Sequence, residues 1–444
     1  MKIEVLRKKY PKFFYRGYTY KRSGGDLCIS FEFAVPRTVA KAAMARRRPD
    51  ISFRPTIVVK NIPKKHPNIE NIIFHLGLLE MISYWKATAS PKIVIEAGHL
   101  TKEQIAWFKD LIFQGMGEYF FQNKIDFTQK NFLTITSTGS FPKRDLGTPK
   151  SRLSNRTLVP VGGGKDAVVT LELFKKAKLL LRPLLLNPKK EQLRILSLTK
   201  TGKPIVVERT IDPELLKLNR KGYLNGHTPF SAYLAFLTVL CAALFDYKYI
   251  ALSNERSSNE GNVKYQGKII NHQYSKTYDF EKKFRAYTKK YLLKDVEYFS
   301  FLRPLYELQI AKLFSRYPKY FPVFLSCNEA YKTKSGSKKP TGEWCGKCAK
   351  CLFVFLSLYP FIGQKRTIAI FKKNLLKEKK LQPLLEELTG KKRFKPFECV
   401  GTIAESRALL ALQKKKDHLM LYAWNKMHFL PKKFEQILKK ALTP

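Results

Sequence analysis

Residues 158–174, LVPVGGGKDAVVTLELF, decide the fold of this chain. A short apolar run typical of a buried strand leads into three glycines and a Lys-Asp pair, after which apolar residues recur at helical spacing. Glycines let the backbone approach a ligand closely, and the first turn of a helix offers free N–H groups and a positive dipole end to phosphate. The stretch predicts a strand, a phosphate-binding glycine turn and a helix; a glycine-rich surface turn without a ligand is the alternative.

Two common nucleotide-binding templates fit the turn at 162–167 poorly. The P-loop requires glycine where Val159 stands and Ser or Thr where Asp166 stands, so that template is excluded. The dinucleotide fingerprint matches in its Gly-x-Gly-x-x-Ala form. However, no acidic residue follows at about the twentieth position to bind a ribose.

The third template is the Ser-Gly-Gly-x-Asp-Ser loop of the ATP pyrophosphatases (the PP-loop), which this turn resembles in its two inner glycines and in Asp166. Gly162 and Ala167 stand in place of the two serines. We therefore expect backbone N–H groups and Lys165 to bind the phosphates. The predicted nucleotide-binding residues are Val161, Gly162, Gly163, Gly164, Lys165, Asp166 and Ala167.

The chain of 444 residues divides into three predicted parts. Residues 1–150 combine short strands and helices in an α+β N-terminal domain, and a linker rich in Ser, Pro, Lys and Gly follows at 139–155. In residues 151–326 strands alternate with helices, which predicts a parallel sheet that binds its ligand beyond the carboxyl ends of the strands. Residues 327–444 contain a cysteine cluster and a helical C-terminal region.

The predicted fold class is α/β, with a parallel-sheet PP-loop ATP pyrophosphatase domain that is Rossmann-like and adenine nucleotide α-hydrolase-like. Apolar patterns predict strands at 27–33, 53–60, 92–96, 158–161, 205–208 and 249–253. They predict helices at 68–89, 101–123, 165–178, 229–245, 279–291 and 434–442. Thr101 and Gln104 have the spacing of a capping box at the start of the second of these helices.

The formal net charge of +48 favours polyanionic partners but does not choose among them. RNA, an anionic membrane surface and a small polyanionic substrate would all be attracted by such a field. The basic residues are spread along the whole chain, so a solvated lysine-rich surface explains them equally well. A run of about 18 apolar residues is absent from the sequence, and so is the apolar core of a signal peptide. We therefore expect no membrane span and a cytoplasmic location.

Four of the seven cysteines have the spacing of a metal site: Cys327, then Cys345, Cys348 and Cys351 at two-residue gaps. Four thiolates can close a tetrahedral zinc site, and two-residue gaps let successive sulfurs turn back onto one ion. An odd number of cysteines in a chain without a secretion signal does not suggest a disulfide framework. We predict a structural zinc site, with an iron–sulfur cluster as the alternative.

Several motifs occur in an order that resembles one family. They are VPVGGGKD at 159–166, LNGHTP at 224–229, SNE at 253–255, NHQYSK at 271–276, the four cysteines, and KPFECVG at 395–401. Over about residues 60–410 the chain is similar to the UDP-N-acetyl-α-D-muramoyl-L-alanyl-L-glutamate epimerases of peptidoglycan synthesis. Members of that family carry serine where Ala167 stands. The cysteine cluster also resembles that of the 7-cyano-7-deazaguanine synthases, which have a similar loop and a zinc site.

The resemblance implies that ATP is split to AMP and pyrophosphate while the terminal L-glutamate of UDP-MurNAc-L-Ala-L-Glu becomes D-glutamate. Adenylation removes a charge from the glutamate carboxylate and so makes the α-proton more acidic. Mg²⁺ would bridge the phosphates near Asp166 and Glu255, and inversion needs an acid and a base on opposite faces. The candidate acids and bases are His227, His272, Lys276 and Glu260. The full set of candidate catalytic residues is Lys165, Asp166, His227, Glu255, Glu260, His272 and Lys276.

Two other functions remain open on sequence grounds. The basic charge suggests an RNA-modifying PP-loop ATP pyrophosphatase that adenylates a tRNA base. Such enzymes often carry an added domain with clustered Lys, Arg and aromatic residues, and none stands out here, so nucleic acid is not the expected partner. Ala167 suggests a degenerate nucleotide-binding protein without activity.

Overall fold

The computed structural model describes residues 2–37, 51–139, 153–331, 341–392, 394–415 and 417–443. These residues form a mixed α/β structure around an eleven-stranded sheet, with a separate two-stranded hairpin. The strands are β1 Lys12–Ser23, β2 Asp26–Val35, β3 Ile51–Phe53, β4 Thr56–Val59, β5 Lys92–Ile95, β6 Thr134–Ser137, β7 Thr157–Pro160, β8 Leu181–Leu186, β9 Ile205–Thr210, β10 Tyr249–Leu252, β11 Val263–Tyr265, β12 Lys268–Ile270 and β13 Glu297–Ser300.

Helices cover the sheet and form most of the C-terminal region. They are α1 Ile3–Lys9, α2 Glu70–Trp85, α3 Lys102–Gly115, α4 Gly117–Gln122, α5 Lys165–Lys176, α6 Lys190–Thr199, α7 Pro213–Arg220, α8 Phe230–Phe245, α9 Tyr278–Tyr291, α10 Glu307–Phe314, α11 Asn328–Tyr331, α12 Ala349–Phe371, α13 Gln382–Leu388, α14 Ile403–Leu412 and α15 Lys432–Leu442. Gly363 interrupts α12 with a φ of 78°, a left-handed conformation that glycine adopts without strain. None of these helices is long and apolar enough to cross a membrane.

The large sheet is parallel on both flanks and antiparallel in the middle. Its order is β13-β10-β7-β8-β9-β4-β2-β1-β5-β6, with β3 paired to β2. The five strands from β13 to β9 are parallel, as are β1, β5 and β6. The mixed α/β fold and the helical C-terminal region therefore agree with the sequence, while the finer PP-loop assignment stays a prediction.

One antiparallel pairing joins the two predicted N-terminal parts of the chain. Strand β4 pairs with β9, so strands from before and after residue 150 belong to the same sheet. The helices α2 and α8 pack against each other, and both are buried over most of their circumference. Most of the predicted linker at 139–155 lies outside the described residues.

Residues 158–174 fold as expected. Strand β7 is buried at all four of its positions, the glycine turn follows, and α5 begins at Lys165 with Gly164 as its N-cap. Asp166 lies in the first turn of α5 and two lysines lie in the last turn, so both ends complement the helix dipole. The helix ends at Lys176, two residues before the predicted end.

Other local predictions were confirmed in part. The capping box is present, since Thr101 Oγ1 accepts from Gln104 N at 3.2 Å and Gln104 Oε1 accepts from Thr101 N at 2.9 Å. The single helix predicted at 101–123 is instead two, α3 and α4, which meet at Met116. Strands β6, β8 and β13 were not predicted. Each is only four to six residues long, too short for a clear apolar pattern, and forms a strand through its pairing with neighbours in the sheet.

Candidate active site

Three neighbouring parallel strands bring polar residues to one edge of the sheet. β7 lies next to β10, and β10 lies next to β13, all in the same direction. The segments after their carboxyl ends carry Lys165, Glu255 and Glu307 respectively, and all three side chains are buried. This edge is where open α/β sheets bind their ligands.

Lys165 is a buried cation held between two carboxylates. Its Nζ donates to Asp166 Oδ1 at 2.5 Å and also to the carboxylate of Glu307. Burial alone would lower the pKa of Lys165, but the charges of Asp166 and Glu307 outweigh it and raise that pKa. The lysine is therefore positively charged at neutral pH.

The carboxylates around Lys165 differ in their environment. Burial raises the pKa of Glu307 to about 7, with the charges of Asp166 and Glu255 adding to the effect and Lys165 opposing it. Burial also raises the pKa of Glu255. Burial acts on Asp166 in the same sense, but Lys165 and Lys350 outweigh it and lower that pKa. The charges of Asp166, Glu255 and Glu307 act on one another, so the three carboxyl groups form one acidic cluster around Lys165.

The glycine turn is packed closely against another part of the chain. Gly163 O accepts a hydrogen bond from Leu325 N at 2.7 Å, and a Cβ on Gly164 would lie 3.2 Å from the Cβ of Ser326. A larger residue at 164 would push the turn away from this contact. Val161 O accepts from Gln192 at 2.9 Å, which fixes the start of the turn.

A second polar cluster lies where α4 meets the segments that precede α8 and α9. Glu118 pairs with His272 through Nδ1, and His227 Nδ1 lies 3.7 Å from the same carboxylate oxygen. The two imidazole rings lie 4.4 Å apart between centroids. Lys86 donates to Gly226 O at 3.0 Å beside them.

The two histidines titrate in opposite directions. Burial lowers the pKa of His227 to about 3, and the positive charges of His272, Lys86 and Lys276 contribute. Burial acts on His272 in the same sense, but hydrogen bonds to Cys399 and Glu118 outweigh it and raise its pKa to about 9. At neutral pH the pair therefore offers one neutral imidazole and one imidazolium.

Lys276 interacts with both groups of residues, the carboxylates around Lys165 and the cluster of Glu118, His227 and His272. Its Nζ lies 3.1 Å from Cys399 Sγ, and its charge also acts on Asp166 and on Glu255. Burial would raise the pKa of the Cys399 thiol, but Lys276, His272 and Lys350 lower it to about 5. The ammonium, the thiolate and the carboxylates therefore form one continuous polar site.

Glu260 is engaged elsewhere in this structure. Its Oε1 accepts from Ile403 N at 3.0 Å and lies 3.1 Å from Lys395 Nζ. The contact with Ile403 N places its carboxylate at the start of α14, where it also complements the helix dipole. Of the four predicted acids and bases, the other three are the ones near Glu118 and Cys399.

The four predicted metal ligands come together at the start of α12. Cys327 and Cys348 have their Sγ atoms 3.9 Å apart, Cys345 and Cys351 have theirs 3.6 Å apart, and all four lie within 4.8 Å of one another. Zinc–sulfur bonds of about 2.3 Å in a tetrahedron require sulfurs about 3.8 Å apart. The cluster therefore fits a zinc ion.

Two models of one protein family match nearly the whole chain. The model described as the MurL N-terminal domain matches residues 5–301, and the model described as the MurL C-terminal domain matches residues 323–441. The chain belongs to the MurL family.

Curated MurL relatives are about one-third identical to this chain over the aligned residues. Three proteins named UDP-N-acetyl-alpha-D-muramoyl-L-alanyl-L-glutamate epimerase are similar to it. The protein from Xanthomonas oryzae pv. oryzae is 34% identical over 76% of this chain and 73% of its own length. The protein from a Micromonospora species is 35% identical over 77% and 74%. The protein from Salinispora tropica is 33% identical over 86% and 83%.

Three residues of the polar site in this MurL chain were not among the predicted site residues. Glu307 follows β13, a strand that the sequence did not indicate. Nothing in the sequence therefore showed that Glu307 lies at the sheet edge. Glu118 lies on α4, where no sequence motif indicated a functional residue. Cys399 lies in the KPFECVG motif, one of the motifs on which the family resemblance rests. Its place in that motif could have identified it as a candidate site residue.

Proposed function

We propose that this chain catalyses the ATP-dependent epimerisation of the terminal L-glutamate of UDP-MurNAc-L-Ala-L-Glu to D-glutamate, with AMP and pyrophosphate as coproducts. The observation that carries the proposal is the continuity of the site. A glycine turn suited to phosphate and a histidine pair suited to proton transfer are joined by Lys276. The naming of the relatives as epimerases gives the same substrate.

The adenylating half of the reaction belongs to the glycine turn. Backbone N–H groups at the start of α5 and the ammonium of Lys165 would stabilise the charge that moves onto pyrophosphate, by roughly 3 kcal/mol for each well-placed donor. Asp166 and Glu255 would hold a Mg²⁺ ion, with Glu307 beside them. When bound, such an ion supplies charge neutralisation to the phosphates.

The epimerising half of the reaction would use His227 and His272, which lie beside Glu118, together with Lys276. An α-proton next to a carboxylate is hard to remove because the resulting dianion is not stabilised, and adenylation takes away one of its charges. His227, neutral at neutral pH, is the proton acceptor, and the imidazolium of His272 and the ammonium of Lys276 are donors. Inversion requires an acceptor and a donor on opposite faces of the α-carbon.

The charges around these residues suit a dicarboxylate. Lys86, His272, Lys276 and Lys350 place positive groups around the cluster, and the terminal glutamate of the substrate carries two carboxylates. The nucleotide part adds further negative charge, which the overall charge of +48 would attract.

We propose the cytoplasm as the location because nucleotide-linked precursors and ATP are present there.

The cysteine cluster has a structural role in this proposal. Its four thiolates would hold Zn²⁺, which supplies a rigid crosslink when bound. Cys327 directly follows Ser326, the residue in contact with the glycine turn. Lys350, between two of the cysteines, donates to Cys399 O. With the ion bound, the cluster would thus fix two segments of the site.

Incubation of the purified protein with ATP, Mg²⁺ and UDP-MurNAc-L-Ala-L-Glu tests the proposal. We expect AMP, pyrophosphate and D-glutamate to appear in equal amounts, and we expect Asp166→Asn to reduce all three together. A parallel reaction with transfer RNA in place of the dipeptide should release no pyrophosphate. Pyrophosphate release with RNA alone would instead support the RNA-modifying function, and no release with either would indicate a nucleotide-binding protein without this activity.

A further inference from the structure

Cys399 differs from the other cysteines outside the metal cluster. Cys241 lies in the core on α8, where burial raises the pKa of its thiol and leaves it inert. Cys399 is only half-buried, and its Sγ accepts a hydrogen bond from Lys276 Nζ at 3.1 Å. The charge of His272 also acts on this sulfur. A thiolate between an ammonium and an imidazolium is the arrangement that activates catalytic cysteines.

The backbone that carries Cys399 is held firmly in place. Lys350 donates to its carbonyl oxygen, and Asn262 Nδ2 donates to Pro396 O at 2.7 Å. Gly401 lies so close to α12 that a Cβ would be 2.4 Å from the Phe353 ring. These contacts involve the backbone of the segment and leave the sulfur directed at Lys276 and His272.

We propose that Cys399 is a nucleophile that receives the activated glutamyl group as a thioester before the α-carbon is inverted. This step rests on the proposed function, because the adenylate must form first. The electrophile would form beside Asp166 and Glu255, and Lys276 acts on both of these carboxylates as well as on Cys399. Lys276 therefore links the sulfur electrostatically to the carboxylates beside which the mixed anhydride would form.

The atoms and charges of the sequence balance. The thiolate attacks the carbonyl carbon of the adenylate, a C–S bond forms, and AMP leaves with the electron pair of the broken C–O bond. The α-proton then leaves from one face and another proton returns on the other. Water hydrolyses the thioester to a carboxylate and a thiol, and the thiol loses its proton to solvent. One ATP and one water are consumed, and nothing is oxidised or reduced.

The thioester has a chemical purpose in this reaction. Like the adenylate it lacks the carboxylate charge, so the α-proton stays acidic, and the glutamyl group is tethered while AMP leaves. The Lys276 ammonium beside the sulfur is placed to stabilise the enolate oxygen. A thiolate that is ionised at neutral pH is an available nucleophile for attack on the carbonyl carbon.

Acid-quenched reactions of the full-length protein test the step directly. With ATP, Mg²⁺ and UDP-MurNAc-L-Ala-L-Glu, we expect intact-protein mass spectrometry to show an adduct of the glutamyl substrate less one water, and peptide mapping to place it on Cys399. Cys399→Ala and Cys399→Ser should lose the adduct and at least about 10³-fold of D-glutamate formation. Both variants should keep substrate-dependent ATP–pyrophosphate exchange, which reports adenylation. Cys28→Ser, on β2, is the matched control that should behave as wild type.

A second measurement examines the Lys276 contact without substrate. The rate at which iodoacetamide alkylates Cys399 should follow a titration with a midpoint near the pKa of about 5. Lys276→Gln should move that midpoint upward, because the thiolate loses its counter-charge.

The outcomes separate this step from the proposed function. Epimerisation by Cys399→Ala within tenfold of wild type overturns the step. So does a wild-type enzyme that turns over without any adduct, since Cys399 would then act only in proton transfer or in positioning. Absence of pyrophosphate exchange in the wild type would overturn the proposed function itself, and the thioester with it.

Discussion

Lys165 shows how strongly a single residue of the site depends on distant partners. It is almost fully buried, and a buried ammonium is costly unless it is paired. One partner, Asp166, is its neighbour in the chain, whereas Glu307 comes from α10, 142 positions away. The charge of Lys165 is therefore a property of the assembled sheet edge.

Ala167 is the residue of the glycine turn that stands where the resemblance to the family leads us to expect serine. It is buried in the third position of α5, and Gly164, the N-cap, provides no side-chain hydrogen bond. We expect Ala167→Ser to keep or increase kcat, by up to about tenfold, since one added neutral hydrogen bond contributes about 0.5–1.5 kcal/mol. Initial rates of pyrophosphate release at saturating substrates measure this.

The matched control for that substitution is Ala177→Ser, at the exposed end of the same helix. It should leave the rate unchanged. A clear loss of activity in Ala167→Ser alone would indicate that the turn does not correspond to the pyrophosphatase loop.

At the scale of elements, α12 links the metal cluster to the rest of the site. Its N-cap is Cys348, whose Sγ accepts from Cys351 N at 3.4 Å. Lys350, one of the two residues between them, donates a hydrogen bond to Cys399 O. Loss of the crosslink at the start of α12 would therefore loosen both the metal cluster and the Cys399 segment.

Metal analysis checks this link. We expect about one zinc per chain, and we expect Cys348→Ser to lose the zinc and to lower the melting temperature, because binding energy at such sites is folding energy. Cys28→Ser should keep both. Iron in place of zinc would favour the iron–sulfur alternative, and a protein with neither metal would contradict the site.

At the scale of the whole molecule, the continuous sheet makes the N-terminal strands part of the same body as the glycine turn. An ion pair strengthens the junction between them. Arg209 on β9 contacts Glu80 on α2 through two hydrogen bonds of 2.8 Å, and its guanidinium lies over the ring of Tyr233 on α8. Glu80 is completely buried.

Removal of the Arg209 charge should destabilise the whole fold. Arg209→Met leaves the Glu80 carboxylate buried without its cation, and we expect the free energy of unfolding to fall by about 3–5 kcal/mol. Lys217→Met breaks the exposed pair with Glu214 and should change it by less than about 1 kcal/mol. Urea unfolding followed by tryptophan fluorescence measures both. Equal effects of the two substitutions would show that the buried pair does not hold the junction.

The sequence by itself determined the features that depend on neighbours in the chain. The strand, turn and helix of 158–174 follow from glycine conformational freedom and from apolar spacing. The capping box follows from the reach of Thr101 to Gln104. The cysteine spacing indicated a cluster because two-residue gaps are enough to turn sulfurs toward one point. These are local effects, and they need little knowledge of the remaining chain.

Only the tertiary structure decided which residues share the site. Glu307 reaches Lys165 because an unpredicted strand, β13, pairs beside β10. Cys399 reaches Lys276, and Glu118 reaches His272, across 123 and 154 positions. Their protonation states are set by burial together with these partners, so a thiol of ordinary pKa becomes a thiolate and two similar histidines titrate in opposite directions. Contacts between residues far apart in the chain carry this information, and periodicity and local spacing do not contain it.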